Sequence, residues 1–507
     1  MNLVEYIFRN ARDHGRWDEP AIVCAARQVN YAELLRQVRQ FAGLLWHLQV
    51  QAGERVAIVA RDCPEWVVAF LGTAAVGAVA VPASTMLTAA EFEYVLEHSG
   101  AVALVLSSEQ LEKLAQSKPR LHGLRHCLLI DGPADGLIDL PTALAGATEA
   151  TIAPVADDAL AFLLYTSGST GRPKGVMHLH RNLPYTVETF CKQVLRVESA
   201  DRLFSSSRLF FAYGLGNSLS FPLSTGATAI LCAERPTPAV IADVLRRQRP
   251  TIFCAVPAVY RALLEYQRQG QTLVTDSLKV CVSAGEKLPA ALWHEWHGAT
   301  ALNILDGIGS TEMLHMFITN THTQITPGST GRVVPGYAAR LLDQAGHEIA
   351  GAGTGDLLIK GGSAFAGYWR DAGKTAATIT GDWIRTGDIY RRDESGDYWF
   401  EGRSDDLFKV KGLWVAPVEV EETLLACPEV AEAAVVPGTD ATGMTMVVAY
   451  IVLKEGQAAE AEAVERLRAQ VAAQLPAYKC PAQINFVPTL PRTATGKLQR
   501  YKLRAGV

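Results

Sequence analysis

Short runs of apolar residues alternate with segments of helical period along most of this chain. ERVAIVA from residue 54, GAVAVPA from 77, AVALVLS from 101 and ATAILC from 227 each read as a strand buried on both faces. Their alternation with helical segments predicts a parallel α/β fold. The stretch from Trp66 to Ala90 carries no charge and is long enough to cross a bilayer, but Gly72, Gly77 and Pro82 divide it. It therefore predicts a helix feeding a buried strand rather than a membrane span. After about Gly351 the texture turns to Gly-rich strand and turn segments, such as GTGDLLIKGGSAF and ESGDYWFEGRSDD, as in a β-rich subdomain. From Asp405 the pattern reads strand, helix (Val418 to Ala426), strand (VAEAAVV), strand (MVVAYIVL) and helix (about Glu460 to Gln474), a small α+β lid.

Composition narrows the function classes. The 507 residues are 49% hydrophobic and 20% charged, enough to bury a large core. Lys plus Arg number 47 against 52 Asp plus Glu, a net charge of -5, which predicts no nucleic-acid or membrane surface and leaves any phosphate site local. The nine cysteines form no C-x-x-C pair and no zinc spacing, so reduced thiols in the cytoplasm are expected. Glu5, Arg9, Arg12 and Asp13 interrupt the apolar core a signal peptide needs.

The sharpest chemical signal is Tyr165-Thr166-Ser167-Gly168-Ser169-Thr170-Gly171-Arg172-Pro173-Lys174-Gly175-Val176, directly after the apolar run ALAFLL. Small hydroxyl and glycine residues let backbone N–H groups close around phosphate oxygens, and Lys174 adds a cation. It is not a Walker A loop, since Pro173 stands where the second glycine belongs. A flexible Ser/Gly linker is the plain alternative, and Arg-Pro-Lys-Gly at its close speaks against that.

With this loop the chain resembles the adenylate-forming acyl- and aryl-CoA synthetases. Ile308-Gly309-Ser310-Thr311-Glu312 is similar to the family's aromatic-Gly-x-Thr-Glu motif, Arg385-Thr386-Gly387-Asp388 to its ribose-binding motif, and Gly402-Arg403-Ser404-Asp405-Asp406 to its hinge. Pro491-Arg492-Thr493-Ala494-Thr495-Gly496-Lys497 is similar to its catalytic-lysine loop. The resemblance implies a body over residues 1–404 that binds ATP and an aryl acid, and a lid over 405–507 pivoting at Asp405. It also implies ATP, Mg2+ and coenzyme A as reactants. Lys497, Thr311 and the loop from Thr166 to Lys174 would stabilise charge at the phosphates, and Glu312 would hold Mg2+ as a hard oxygen ligand. Asp388 and Arg403 would meet the ribose and phosphates, and Ser283-Ala284-Gly285-Glu286 with Asp306 the adenine. Ile308 departs from the family's stacking aromatic. Lys409 and Gly412 would form the face used for thiol attack after the lid turns.

Leu209-Phe210-Phe211-Ala212-Tyr213-Gly214-Leu215-Gly216-Asn217, with Phe221 and Pro222 beyond, resembles the benzoate-CoA ligase branch. Phe211, Tyr213 and Phe221 are then expected to wall a slot for a flat ring, closed by the small or neutral Ala212, Ala284, Ile308 and Gly309. Plain core packing is the alternative. His315 and Ser283 are the polar candidates for a ring substituent, so benzoate and 2-aminobenzoate stay equally open. A carrier protein remains an alternative acyl acceptor to coenzyme A, a non-catalytic nucleotide-binding scaffold the alternative class, and both monomer and homodimer are compatible with the sequence.

Overall fold

The apolar runs marked as strands in the sequence form Arg55–Val59, Val79–Pro82, Ala101–Leu106 and Thr228–Leu231. The uncharged stretch beginning at Trp66 splits as its glycines and proline predict, into helix Pro64–Ala75 and the fully buried strand Val79–Pro82. No helix among the described residues is long and apolar enough to cross a membrane. The computed structural model describes residues 1–117, 120–166, 172–410, 413–440, 443–492 and 498–504. The chain divides into two units, Met1–Ala339 with Ile359–Ile384, and Arg340–Leu358 with Arg385–Val507.

The first unit holds two large sheets. A seven-stranded sheet runs in the order Ile138–Asp139, His126–Leu129, Ala101–Leu106, Arg55–Val59, Val79–Pro82, Leu160–Thr166, Lys174–Leu179, and only its last pair is antiparallel. Val59, Val81, Leu104 and Leu106 pack beneath Phe92 and Leu96 of helix Ala89–Ser99. That helix is fixed at both ends: Thr88 and Glu91 form a reciprocal capping box, and Gly100 closes it in the left-handed region at φ 66°. A nine-stranded sheet runs Arg332–Val333, Met316–Thr319, Ile304–Gly309, Val280–Ser283, Ile252–Ala255, Arg202–Ser205, Thr228–Leu231, Pro20–Cys24, Arg27–Asn30. Its centre is parallel, so Ala255, Ser283 and Gly309 end neighbouring strands along one edge. Carboxyl edges of this kind are where α/β proteins gather ligand-binding loops.

The second unit is the β-rich and α+β portion. Trp383–Arg392 pairs antiparallel with Tyr398–Arg403, and Phe408–Val410 pairs antiparallel with Leu413–Val415. A sheet of Val430–Thr439, Thr445–Leu453 and Gln483–Phe486 packs Val435, Val447 and Ile451 against Val420 and Leu424 of helix Pro417–Leu425 and Leu467 and Val471 of helix Ala461–Gln474. The helices and strands read from residue 405 onward are therefore present, with ends displaced by no more than a few residues.

Candidate active site

In the first unit, Thr166 and Lys174 lie opposite each other across the antiparallel pair Leu160–Thr166 and Lys174–Leu179. This register holds together the two ends of the phosphate-type loop. Ser167, Gly168, Ser169, Thr170 and Gly171 lie outside the described residues. The Lys174 ammonium sits 6.0 Å from the ring centre of Tyr368.

Strand Ile304–Gly309 delivers the second motif. Its pairing slips by one residue between Ile308 and Gly309, and a Cβ on Gly309 would stand 2.6 Å from the His315 carbonyl oxygen, so only glycine fits this bend. The chain then turns through Ser310 and Thr311, with the Met313 N–H on Ser310 Oγ (3.2 Å). The three carbonyls after Ser310 are each tied down. His178 Nε2 donates to Thr311 O (2.8 Å), the Phe365 N–H to Glu312 O (2.8 Å) and Ser363 Oγ to Met313 O (2.8 Å). His178 is fully buried, and burial lowers its pKa to about 4, so it is neutral and its Nε2 carries the proton. The half-buried Glu312 receives the Tyr368 hydroxyl on Oε1 at 2.7 Å.

On the adjoining strand end, Ser283 is register-paired with Asp306. Burial pushes the Asp306 carboxyl up to about 8 against the pull of the Ser283 hydroxyl and the Gly307 N–H. Ala284 is buried, Gly285 turns at φ 92° and is exposed, and Glu286 is half-buried. A carboxyl that is neutral at pH 7 both donates and accepts, which suits the amine and ring nitrogens of a purine.

The predicted aromatic wall has an unexpected centre. Ala212–Leu215 is a single helical turn, followed by π-type turns over Gly216–Ser220 and helix Phe221–Thr225. Tyr213 donates its hydroxyl to Val282 O (3.0 Å), and Phe221 is fully buried. Between their rings stands His315, 3% exposed, with centroid distances of 4.6 Å to Phe221, 4.9 Å to Phe190 and 5.6 Å to Tyr213. Burial pushes its pKa down to about 3 against the Tyr213 carbonyl, and neither ring nitrogen completes a hydrogen bond among the described residues. Phe211 packs its ring on Phe210 (4.4 Å). Tyr213, Phe221 and His315 are thus brought together, with the imidazole occupying space that the sequence reading left to a flat ring.

Three residues of this region were given no role in the sequence reading. Phe190 comes from a distant π-type segment, Val187–Leu195, and nothing local signals its convergence. Gly216 is required because a Cβ there would lie 2.4 Å from His315 Cδ2, and a glycine pair inside an apolar helical stretch is the available signal. Tyr368 lies in a Gly-Tyr-Trp stretch that reads as an ordinary turn.

In the second unit, Asp388 and Arg403 face each other across paired strands, with Arg403 Nη1 on Asp388 Oδ1 at 2.7 Å. Gly387, at φ 74°, makes the bend that presents Asp388, and its carbonyl accepts both the N–H (2.9 Å) and the hydroxyl (3.0 Å) of Ser404. Asp405 is exposed just beyond this strand. Lys409, also exposed, lies opposite Trp414 with its ammonium 4.7 Å above the indole. Gly412 and Lys497 lie outside the described residues. The stems of the Lys497 loop are nevertheless paired, by an antiparallel bridge between Arg492 and Leu498 and by the Gln499 N–H on Pro491 O (2.8 Å).

No group of three or more His, Cys, Asp or Glu among the described residues is placed to hold a metal ion. One carboxylate such as Glu312 still fits Mg2+, which is held by one or two carboxylates together with substrate phosphates rather than by an all-protein cage.

The AMP-binding enzyme family model matches residues 7–369, and the AMP-binding enzyme C-terminal domain matches 419–497. The chain is 42% identical to a benzoate–CoA ligase of Thauera aromatica, over 97% of this chain and 93% of that protein. Among solved structures it is similar to the anthranilate CoA ligase AuaEII in complex with anthranoyl-AMP (TM-score 0.94, 35% identity, covering 100% of this chain and 97% of that one). It is also similar to a benzoate CoA ligase from Burkholderia xenovorans LB400 (TM-score 0.91, 40% identity, covering 99% of this chain and 100% of that one).

Proposed function

This chain belongs to the AMP-binding enzyme family, and from that premise we propose that it is an ATP-dependent aryl-CoA ligase acting on benzoate or a small substituted benzoate such as 2-aminobenzoate. The observation that carries this reading is the placement of Glu312 and His315 three residues apart, the carboxylate hydrogen-bonded by Tyr368 and the imidazole buried against aromatic rings.

A carboxylate is a poor acyl donor because its leaving group would be oxide. In the first half-reaction an oxygen of the aryl carboxylate attacks the α-phosphorus of ATP, the bond to the bridging oxygen breaks, and pyrophosphate leaves. Charge gathers on the phosphoryl oxygens, and donors aimed there in advance lower the barrier most. That role falls to Lys497, Thr311, Lys174 and the backbone N–H groups of Thr166 to Gly171. Glu312 would hold Mg2+, which offsets charge on the phosphates when bound. Asp388 accepts from the ribose hydroxyls while Arg403 steadies it, and Asp306 with Ser283, Ala284, Gly285 and Glu286 lines the purine. Ile308 offers apolar contact in place of a stacking ring.

The aryl ring lies against Ala212, Tyr213, Gly309 and His315, with the fully buried Phe221 supporting the imidazole and Phe211 at the margin. Burial holds the His315 imidazole neutral near pH 7, so it adds no charge to the aromatic wall. In the second half-reaction the sulfur of coenzyme A attacks the acyl carbonyl, AMP leaves, and the thiol proton is released. A lid of residues 405–507 turning at Asp405 withdraws Lys497 and brings forward Lys409 and Gly412. The setting is cytoplasmic, where coenzyme A and reduced thiols coexist.

The test compares acceptors. Protein, ATP, Mg2+ and benzoate or 2-aminobenzoate are incubated with coenzyme A or with a phosphopantetheinylated carrier protein, and thioesters are separated by mass. Aryl-CoA is the expected product; acylated carrier with no aryl-CoA would convert the reading to a carrier-loading enzyme.

A further inference from the structure

The two phosphate-side motifs of the first unit come from distant stretches of sequence, and one short segment, Phe365–Trp369, joins them. Its backbone adds onto strand Lys174–Leu179: the Ala366 N–H donates to Met177 O (2.9 Å), the Met177 N–H to Gly367 O (3.0 Å) and the Trp369 N–H to Gly175 O (2.7 Å). The same segment reaches Glu312 twice, by the Phe365 N–H on its carbonyl (2.8 Å) and by the Tyr368 hydroxyl on Oε1 (2.7 Å).

Tyr368 is itself held from several sides. It is 6% exposed, its N–H donates to Thr375 Oγ1 (2.9 Å), and its ring meets Phe365 edge-on at 4.9 Å. Since His178, Phe365 and Ser363 already pin the main chain from Thr311 to Met313, the freedom left to Glu312 lies in its side chain. The phenol removes it.

We propose that Tyr368 is a positioning residue for adenylation: by holding one oxygen of Glu312 it sets the other toward the divalent cation that accompanies ATP. The inference rests on Glu312 being the metal carboxylate. The donor's chemistry suits the task, because a phenol orients a carboxylate without cancelling its charge, whereas an ammonium or guanidinium in its place would compete with the metal. The Lys174 ammonium lies 6.0 Å from the Tyr368 ring centre, so one aromatic residue relates the loop's cation to Glu312.

The experiment measures Mn2+ binding to the full chain with ATP by electron paramagnetic resonance, for wild type, Tyr368→Phe, Glu312→Gln and the double variant. Tyr368→Phe keeps the ring and its packing, and it should weaken Mn2+ binding about 10-fold or more, the usual effect of losing a partner that orients a ligand. Turnover of supplied benzoyl-AMP with coenzyme A should be unchanged. In the Glu312→Gln background the tyrosine substitution should add nothing. Wild-type Mn2+ binding by Tyr368→Phe while Glu312→Gln loses it would overturn this proposal alone, as would an equal loss in both backgrounds. Undiminished binding by Glu312→Gln would instead bring down the metal reading, and this proposal with it.

Discussion

Glu312 and His315 stand three positions apart on one turn, yet their surroundings are opposite. Glu312 is half-buried and hydrogen-bonded by Tyr368, whose ring centre lies 6.0 Å from the Lys174 ammonium. His315 is buried among Phe190, Tyr213 and Phe221 with its proton affinity driven down by the loss of water. The difference teaches how one loop can present surroundings of unlike polarity, which is what the proposed pair of substrates asks of it. Strand Ile304–Gly309 ends in a bulge, the next residues turn with Leu314 at φ 64°, and successive side chains are thrown to different sides. On the proposed reading, charge is kept where phosphates are met and withheld where a flat ring is desolvated.

Removing charge should cost rate, while reshaping the wall should cost affinity for the acid. The largest effect is expected from Lys497→Ala, which should slow pyrophosphate-releasing adenylation by about 10²–10³-fold, the cost of one preorganised donor, and spare coenzyme A attack on supplied aryl-AMP. Equal loss in both half-reactions would erase the distinction between the two lid positions. Next comes the wall. In Gly216→Ala the new methyl would stand 2.4 Å from His315 Cδ2, and overpacking of this kind costs about 1–3 kcal/mol. The KM for benzoate should rise about tenfold with the KM for ATP unchanged; parallel rises would show that the two sides are not separable.

The same contrast has a pH signature. His315 has a pKa near 3 in the folded protein and 6.5 ordinarily, so between those values the unfolded chain binds a proton that the fold refuses. Its contribution is complete above pH 6.5 and is lost as pH falls toward 3. Replacing it by glutamine should flatten the acid side of the stability profile by about 1.4 kcal/mol per pH unit, read from urea midpoints over that range. An unchanged slope would mean that the imidazole is not held neutral. The smallest effect is expected from Tyr213→Phe, which deletes the hydrogen bond to Val282 O. It should lower stability by about 1 kcal/mol and raise the KM for benzoate more than that for ATP, in steady-state assays against each substrate.

Much of this was legible in the sequence because it is local. Apolar runs such as ERVAIVA need only their own composition to become buried parallel strands, and the divided stretch after Trp66 announces its break through Gly77. The motif around Thr311 and Glu312 is contiguous, as is the Thr-Gly-Asp bend at Asp388. The aromatic setting of His315 was not legible, since it gathers Phe190 from the π-type segment Val187–Leu195, and Tyr213 and Phe221 from the helical turns on either side of the π-type segment Gly216–Ser220, whose period matches neither helix nor strand templates. The tie from Tyr368 to Glu312 spans 56 residues, and only the pairing of Phe365–Trp369 with strand Lys174–Leu179 makes it possible.

The central claim is that a planar acid is activated on the α-phosphate of ATP. Exchange of radiolabelled pyrophosphate into ATP, measured with Mg2+ present and coenzyme A absent, tests it most directly. The account predicts exchange that depends on benzoate or 2-aminobenzoate and is absent with short fatty acids; silence with every aromatic acid, or equal exchange with the fatty acids, would contradict it.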